Sequence, residues 1–371
     1  MNNRESSMAI LNYQPYDHFP VVHFGFWDET MAKWAEEGHI TWEEARGWGD
    51  GNIHDTSIGH KLGFDFNWYS CFHFQNSLKP GFERHLVKTH PDGSREVMNS
   101  DGVIVIEKDE AGSIPSEVEH TLKDRKSWEE QYLYRMQWSR DRINWAALDA
   151  LPDKDVRDHP IGIHCGSLWG RIRDIVGLVG LSYMISDDPA LVDEMIEVNA
   201  EICYQGTKAI LEHYDRFDFA HFWEDICYRA GPLVSPKFFA EKIGPHYKRI
   251  TELVNSHGIN IISLDCDGKI DKLIPTWVAN GVNTMFPIEV GTWNASFTPW
   301  RELYGKEIRG VGGMNKVVFS RDYAAVDVEI ERLKPMVELG GFIPCPDHRI
   351  APDAKWENVQ YYCERMHAVF G

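Results

Sequence analysis

The chain has 371 residues, of which 43% are hydrophobic, so it can bury the core of one barrel-sized domain with an appendage or of two domains. Its formal net charge of −19 argues against nucleic acid and anionic membrane surfaces as partners, because both need a basic surface. Seven irregularly spaced cysteines and the lack of a secretory signal pattern predict free thiols in a reducing cytoplasm. No apolar run is long enough to predict a membrane-spanning helix.

The N-terminal third is predicted to combine an arm, one strand and one short helix with an antiparallel elaboration. Residues 1–17 are predicted to form a polar arm, residues 19–26 a strand and residues 28–38 a helix. Further along, Asp-Gly pairs at 92–93 and 101–102 separate β-prone pieces, which is a hairpin signal. We therefore predict a hairpin-containing insertion at about 75–125.

Residues 124–148 are predicted to be helical, since large apolar side chains recur there at roughly helical spacing. After residue 160, short apolar runs alternate with helical stretches, which predicts parallel β/α units. The predicted strands are 161–165, 217–223, 259–265, 283–287, 308–312 and 341–345. Capping residues before helices are predicted at Asp188, Ser235, Thr298 and Ser320.

With the 19–26 strand and one strand from residues 64–74, the strands number about eight. Eight strands close a (β/α)8 barrel of the TIM type, so we predict an α/β fold of that kind with an N-terminal elaboration containing a small antiparallel hairpin. An open doubly wound sheet is the alternative. No glycine-rich dinucleotide fingerprint follows any predicted strand, and this argues against the alternative.

The stretch Ile261–Gly268 is the most informative one for function. A buried strand runs directly into Asp265, Cys266 and Asp267, and a glycine then allows the backbone to turn away. Asp265 and Asp267 are two residues apart, so both side chains leave the same face while the chain stays extended. The alternative is that one carboxylate caps the next helix and the other is solvated.

Polar residues also follow the other predicted strands, and in a TIM barrel the loops after the strands build the active site. We therefore predict one polar pocket at these strand ends. Its candidate residues are His23, Trp169, Arg171, Arg173, Asp174, Glu224, Asp225, Asp265, Asp267, Glu289, Asn315 and His348.

Several of these residues have more than one interpretation. His348 suits a metal ligand or a general acid/base, or is a histidine of a surface loop. Glu224 and Asp225 suit a bound hydroxyl or amine, or cap the following segment. Arg171 and Arg173 suit a substrate carboxylate or phosphate, or pair with the acidic residues around them.

Four segments carry a resemblance to a known family: Gly166-Ser-Leu-Trp169, Leu264-Asp-Cys-Asp-Gly268, Gly310-Val-Gly-Gly313, and Gly340-Gly-Phe-Ile-Pro344 leading into His348-Arg-Ile-Ala-Pro-Asp353. Over residues 160–371, and less tightly over 20–38, the chain resembles the uroporphyrinogen decarboxylase superfamily. That superfamily also contains zinc-dependent methyltransferases that act on methylated corrinoid proteins. The resemblance implies a single (β/α)8 barrel domain over residues 1–371.

The departures from the decarboxylase pattern argue against true uroporphyrinogen decarboxylation. The first strand lacks the arginines that hold propionate groups in that pattern, and Cys71 occupies the position of its pyrrole-binding aspartate. Asp174 stands where the pattern has a tyrosine. An acidic pocket poor in arginine does not suit a tetrapyrrole with eight carboxylates.

The methyltransferase pattern implies a metal site formed by Asp265, Asp267 and His348, which replace its His, Cys and Cys ligands. Two carboxylates and one imidazole are harder ligands than thiolates, and they suit Zn, Fe or Mn. In the absence of a metal, Asp267 and His348 could instead protonate or deprotonate a substrate nitrogen.

The sequence therefore predicts an enzyme that moves a methyl group between a corrinoid (cobalamin), carried by a partner protein, and a small acceptor. Asp267, His348 and Glu224 are its predicted catalytic residues, Glu224 and Glu289 orient the acceptor, and Arg171 or Arg173 holds an anionic end. His23, Trp169, Asp174, Asp225 and Asn315 complete the predicted substrate-binding set. A lyase that decarboxylates a small acid and a non-catalytic ligand-binding barrel are the alternatives, and a homo-oligomer is compatible with the sequence.

Overall fold

The computed structural model describes residues 1–108 and 116–371. The strands are β1 (Val22–His23), β2 (Phe66–Asn67), β3 (Cys71–Phe72), β4 (His85–Thr89), β5 (Arg95–Met98), β6 (Val103–Glu107), β7 (Ser116–His120), β8 (Gly162–His164), β9 (Phe219–Trp223), β10 (Cys227–Tyr228), β11 (Gly231–Pro232), β12 (Ile262–Asp265), β13 (Thr284–Ile288), β14 (Arg309–Met314) and β15 (Phe342–Pro346). The α-helices are α1 (Asn3–Leu11), α2 (Asp28–Glu36), α3 (Trp42–Gly47), α4 (Ile53–Leu62), α5 (Arg125–Ser127), α6 (Trp145–Asp149), α7 (Gly170–Val176), α8 (Leu178–Asp187), α9 (Pro189–His213), α10 (Pro236–Lys242), α11 (Gly244–Ser256), α12 (Ile274–Ala279), α13 (Val290–Trp293), α14 (Phe297–Tyr304), α15 (Tyr323–Glu338) and α16 (Trp356–Phe370).

A seven-stranded parallel sheet forms the centre of this mixed α/β fold. Its strand order is β15-β14-β13-β12-β9-β8-β3, and consecutive strands are joined by segments that contain helices, as parallel strands require. The six strands predicted after residue 160 are all present, with ends that shift by three residues or fewer. Their side chains are buried almost throughout, which explains why the sequence reads there as short apolar runs.

The β1 segment lies beside β15. It pairs in parallel with β2, and Phe26 forms a bridge with Ile350, just beyond the end of β15. The N–H of Ile350 donates to the Gly25 carbonyl at 3.0 Å. Among the described residues no strand ladder joins β2 to β3, so the pairing gives a TIM-type arrangement of strands and helices without a continuous ring.

The N-terminal elaboration contains a four-stranded antiparallel sheet in the order β4-β5-β6-β7, which is larger than the predicted hairpin. The prediction included the Asp-Gly turns but did not find all four strands, since β4 and most of β7 are solvent-exposed and lack an apolar face. The sheet is tied to the rest of the fold by a two-pronged ion pair in which Arg171 donates to both oxygens of Asp101, at 2.5 and 3.1 Å.

Two local predictions are wrong. Residues 1–17 are not an arm: α1 begins with a capping box between Asn2 and Glu5, and it buries Ile10 and Leu11. Residues 124–148 are not one helix but α5, a π-helical turn, short 3-10 turns and α6. The apolar side chains at 128, 132 and 136 are nevertheless all buried, so their spacing marked the core correctly.

Two of the predicted helix caps are confirmed and two are wrong. The side chains of Asp188 and Ser235 accept backbone N–H groups at the starts of α9 and α10. Helix α14 is capped by Ser296 instead of Thr298, and α15 is capped by Asp322 instead of Ser320. All seven cysteines are free, and no helix in the described part of the chain has the length and apolarity needed to cross a membrane.

Candidate functional site

Three neighbouring strands of the central sheet place register partners side by side near their carboxyl ends: Trp223, Asp265 and Phe286. We call these three residues the carboxylate row, after the aspartate at its centre. Asp265 on β12 is the register partner of Trp223 on β9 and of Phe286 on β13. Register partners in a parallel sheet project to the same side, so the carboxylate lies between two aromatic rings. The Asp265 residue is only 5% exposed. Within the described part of the chain its carboxylate has no hydrogen-bond donor.

Two residues beyond the row, Asp267 meets His348 from the end of β15. The Nε2 atom of His348 lies 3.1 Å from Oδ2 of Asp267, although the two residues are 81 positions apart. We call these two side chains the acid/base pair. The other ends of the pair, Oδ1 of Asp267 and Nδ1 of His348, are buried and have no partner among the described residues. Buried polar atoms without partners in a folded protein mark a place where a water or a ligand group is expected.

Aromatic rings hold the imidazole of His348 in place. Trp27 stacks on it with ring centres 5.2 Å apart and planes 14° apart, and Phe24 contacts it edge-on at 5.6 Å. Behind these rings, Arg349 donates to both oxygens of Asp50, at 3.1 and 2.6 Å. The ring of His348 is therefore fixed by packing on two sides.

Glu289 places a third carboxylate near the row. Its Oε2 accepts the N–H of Gly268 at 2.5 Å, and its Oε1 accepts the hydroxyl of Thr292 at 2.9 Å. Burial raises the pKa of Glu289, and the negative charge of Asp267 raises it further. Burial and the same neighbour raise the pKa of Asp265 well above its ordinary value, whereas Arg349 opposes this shift. Asp265 and Glu289 therefore hold their protons more tightly than solvated carboxyl groups do.

The structure gives Glu224 a different environment from the predicted one. Its fully buried carboxylate accepts the backbone N–H groups of Leu168, Trp169 and Gly170, as well as the hydroxyls of Ser167 and Tyr247. Burial raises its pKa, and these hydrogen bonds oppose the shift. With both oxygens engaged, Glu224 fixes the loop after β8 and has no free position for a substrate.

The two arginines predicted to hold an anionic end already have carboxylate partners. Arg171 is bound to Asp101, and Arg173 forms ion pairs with Asp174 and Asp225, each at 3.0 Å. Because carboxylates of the protein already neutralise both guanidinium groups, neither arginine is free to bind an anionic end of a substrate. The alternative interpretation, pairing with acidic surroundings, describes both residues.

Asp174 lies at a cavity of about 240 Å³ beside the row. The cavity is lined by Tyr69, His73, Asn76, His164, Ser167, Arg171, Asp174 and Trp223. Burial raises the pKa of Asp174 to about 7, while Arg173 and Arg171 act in the opposite direction. This carboxyl group is thus poised to change its protonation state near neutral pH.

An Asp174→Asn substitution should remove a pH-dependent loss of stability. The folded protein keeps the Asp174 proton up to about pH 7, whereas the unfolded chain releases it near 3.8. The wild-type free energy of unfolding should therefore fall, relative to the variant, as the pH rises from about 4 to about 7, by at most about 4 kcal/mol. Urea denaturation of both proteins across this range measures the difference. A difference that does not change with pH contradicts the expectation.

The remaining predicted substrate-binding residues, His23, Trp169 and Asn315, have contacts elsewhere in the fold. His23 is buried against Phe26 and Phe64, with its Nδ1 accepting the N–H of Gly25. Trp169 is buried against Phe238, and Asn315 caps the short turn that follows β14.

Sequence reasoning missed a group of rings on the inner side of the sheet: Tyr69, His73, His164 and His221. Tyr69 meets His221 edge-on at 5.0 Å, and the rings of His73 and His164 are 4.5 Å apart. His221 is completely buried, both its ring nitrogens lack partners among the described residues, and burial lowers its pKa to about 3. The alternation of side chains along a strand could have identified His164 and His221, because it places both on the inward face. Burying an imidazole there costs free energy unless the ring has a polar partner, so such a histidine suggests a functional role.

The predicted metal site is not formed as a three-ligand set. Across residues 1–108 and 116–371, no three side chains of His, Cys, Asp or Glu are grouped so that they would hold a metal ion. Asp267 and His348 contact each other directly at the position where two ligands would face a cation. The contact allows proton exchange between the two side chains, and the metal site stays a prediction.

No family model matches the chain, and no curated protein matches its sequence. Among solved structures, it is similar to a methyltransferase from Methanosarcina mazei, with a TM-score of 0.59, 14% sequence identity, and 99% of this chain and 98% of that chain covered. A structure described as a B12-independent methionine synthase from Listeria monocytogenes matches with a TM-score of 0.37 and 14% identity, over 96% and 98% of the two chains. The first likeness shows that the chain shares the fold of a known methyltransferase.

Proposed function

We propose that the protein is a methyltransferase that moves a methyl group from a methylated corrinoid, carried by a partner protein, to a small acceptor bound at the carboxylate row. The single observation that carries the proposal is the acid/base pair, in which Asp267 and His348 meet at 3.1 Å and both outer atoms lack partners among the described residues. The fold shared with a solved methyltransferase supports the choice of reaction. We further infer that β1 closes the sheet into a (β/α)8 barrel, with this site at its mouth.

The polarity of the pair suggests how it acts. When the Nε2 hydrogen of His348 points at the Asp267 carboxylate, Nδ1 is the unprotonated nitrogen and can accept a proton. Asp267 then holds the imidazole in this tautomer and stabilises the charge that develops on it. The stacked ring of Trp27 keeps Nδ1 in a fixed direction.

Atoms and electrons balance with three participants: the acceptor, the methyl donor and His348. The acceptor loses a proton to Nδ1 of His348, its freed electron pair forms a bond to the methyl carbon, and the bond between that carbon and the donor breaks with both electrons left on the donor. Deprotonation matters because a protonated nucleophile has no free electron pair for the attack. A general base of this kind contributes about 10²–10⁴-fold to a rate.

The decarboxylase alternative has less support. It needs an arginine to anchor the substrate carboxylate, and both candidates are bound to Asp101, Asp174 and Asp225. No specific observation favours a binding-only barrel, because the acid/base pair would then have no use.

The test is a screen of the purified protein with methylcob(III)alamin and a panel of small amines, alcohols and thiols. We expect loss of the methyl–cobalt absorbance that depends on one acceptor class, with the acceptor gaining a methyl group by mass spectrometry. Release of carbon dioxide from small acids with no methyl transfer would support the lyase instead. Neither activity across the screen would favour binding alone.

Removal of metal ions should leave methyl transfer intact. The acid/base pair needs no cation, so treatment with a chelator followed by desalting is expected to change the rate by less than about twofold, well below the contribution of a catalytic group. Metal analysis of the protein before and after treatment provides the control. Activity that disappears with the metal and returns on adding Zn, Fe or Mn, together with a stoichiometric ion that is lost in Asp267→Ala, would restore the metal-assisted mechanism.

A further inference from the structure

Negative charge around the carboxylate row exceeds positive charge, and this excess indicates what kind of molecule can bind there. The nearby guanidinium groups are neutralised by their own partners: Arg349 by Asp50, Arg171 by Asp101, and Arg173 by Asp174 and Asp225. The carboxyl groups of Asp265, Asp267 and Glu289 form no ion pair with an arginine or lysine in the described part of the chain, and the charge of a nearby lysine acts on the last two. That lysine, Lys316, donates to the carbonyl of Arg349 at 2.8 Å. The row therefore attracts positive charge.

An acidic cluster alone does not make a site, but the aromatic rings around this one add shape. Asp265 lies between the rings of Trp223 and Phe286 on neighbouring strands. Phe24 packs edge-on against Phe286 with ring centres 4.5 Å apart, and Tyr69 lies 5.7 Å from Phe24. Aromatic faces that surround a carboxylate are the surroundings in which alkylated ammonium ions are recognised, because the ring faces are negative and the alkyl groups are apolar.

The Asp265 carboxylate itself provides the independent sign of a ligand. It is 5% exposed and accepts no hydrogen bond from a described residue. Ser263, two residues earlier on the same strand face, has a buried hydroxyl that also lacks a partner among the described residues. Burying such a group without a partner costs free energy that a bound cation would recover. A neutral ligand supplies at most a hydrogen bond, whereas a cation also offsets the negative charge of Asp267, which acts on Asp265.

We propose that the small acceptor is an amine that binds at the carboxylate row as its positively charged alkylammonium ion. Its role as methyl acceptor rests on the proposed function, whereas its binding does not. One N–H proton of the ammonium passes to Nδ1 of His348, and the nitrogen electron pair then forms the bond to the methyl carbon of the corrinoid donor. The bond from that carbon to the donor breaks with both electrons left on the donor, and the product is an alkylammonium ion with one more methyl group.

Binding is tested directly with simple probes on the full-length protein. Isothermal titration or ligand-observed NMR is used to compare tetramethylammonium with tert-butanol, a neutral molecule of similar shape, and with acetate. We expect saturable binding of the cation at least about tenfold tighter than of either control. Asp265→Asn should weaken cation binding at least about tenfold, and Trp223→Ala should weaken it several-fold. Trp223→Ala alters a half-buried side chain, so it keeps the test valid if Asp265→Asn does not fold.

The matched control is Asp149→Asn, which removes one exposed negative charge that lies beside His213 and leaves the row unchanged. Cation binding that survives in this variant and is lost in the two row variants supports the proposal. No saturable binding of tetramethylammonium, equal binding of tert-butanol, or binding unaffected by both row variants overturns it. Cation binding with no methyl transfer to any acceptor of the screen would leave the cation site standing and remove the proposed function. Methyl transfer only to uncharged or anionic acceptors would keep the proposed function and overturn the proposal that the acceptor is an amine.

Discussion

A His348→Ala variant is expected to lose about 10²–10⁴-fold in kcat for methyl transfer, with little change in the acceptor KM. The ring supplies the nitrogen that takes the proton, and no other imidazole of the described chain lies against Asp267. His348→Ala leaves acceptor binding at Asp265 and its aromatic neighbours intact, so the acceptor KM should stay close to that of the wild type. Steady-state rates with methylcob(III)alamin and the acceptor from the screen provide both constants.

Two variants make this comparison specific. Asp267→Asn leaves the ring in place but removes the charge that holds its tautomer, so it should lower kcat less than the alanine variant does. His213→Ala removes an exposed histidine on the far end of α9 and should leave the rate unchanged. If His348→Ala keeps more than about one-tenth of the wild-type kcat, His348 is not the general base.

A Glu224→Ala variant should be among the least stable single variants of this chain, with a loss of about 4 kcal/mol or more in the free energy of unfolding. The substitution leaves the backbone N–H groups of Leu168, Trp169 and Gly170 without their acceptor, in a fully buried place. The hydroxyls of Ser167 and Tyr247 lose theirs as well. The loss should appear as a shift of the midpoint in urea denaturation.

Tyr247→Phe is the matched comparison, because it removes a single donor to the same carboxylate. Its expected cost is about 1 kcal/mol, the usual value of one hydrogen bond. A Glu224→Ala protein that unfolds within about 1 kcal/mol of the wild type would mean that the loop after β8 does not depend on this residue. In that case the network would be redundant, and Glu224 would again be available for a role in substrate binding.

The sequence predicted the central part of the fold because each strand there is buried on both faces. The runs ending at Asp265 and Pro346 contain few polar residues inside the strand, so their limits are visible without a structure. The two errors have different causes. The start of α1 is marked by a local signal, the capping box between Asn2 and Glu5, which the prediction of a polar arm overlooked. In residues 128–136 the apolar side chains recur at helical spacing, but such spacing does not show where a regular helix is interrupted.

The candidate site was predictable to the extent that it consists of side chains at strand ends. Asp265 is the last residue of β12, Asp267 and His348 follow within two residues of the ends of β12 and β15, and parallel strands end at the same edge. The environment of Glu224 was not predictable, since most of its donors are backbone N–H groups with no sequence signature. The partner of Arg171 was hidden for another reason. Asp101 lies in the antiparallel sheet, whose position relative to the central sheet no periodicity encodes.

The most direct test of the acid/base pair is the ¹⁵N chemical shifts of the His348 ring in the wild-type protein, measured at mildly alkaline pH and assigned by comparison with His348→Ala. We expect the neutral tautomer with hydrogen on Nε2, facing Asp267, and a bare Nδ1. In Asp267→Asn the preference for this tautomer should weaken. A ring that carries its hydrogen on Nδ1, with Nε2 bare, would contradict the proposed direction of proton transfer.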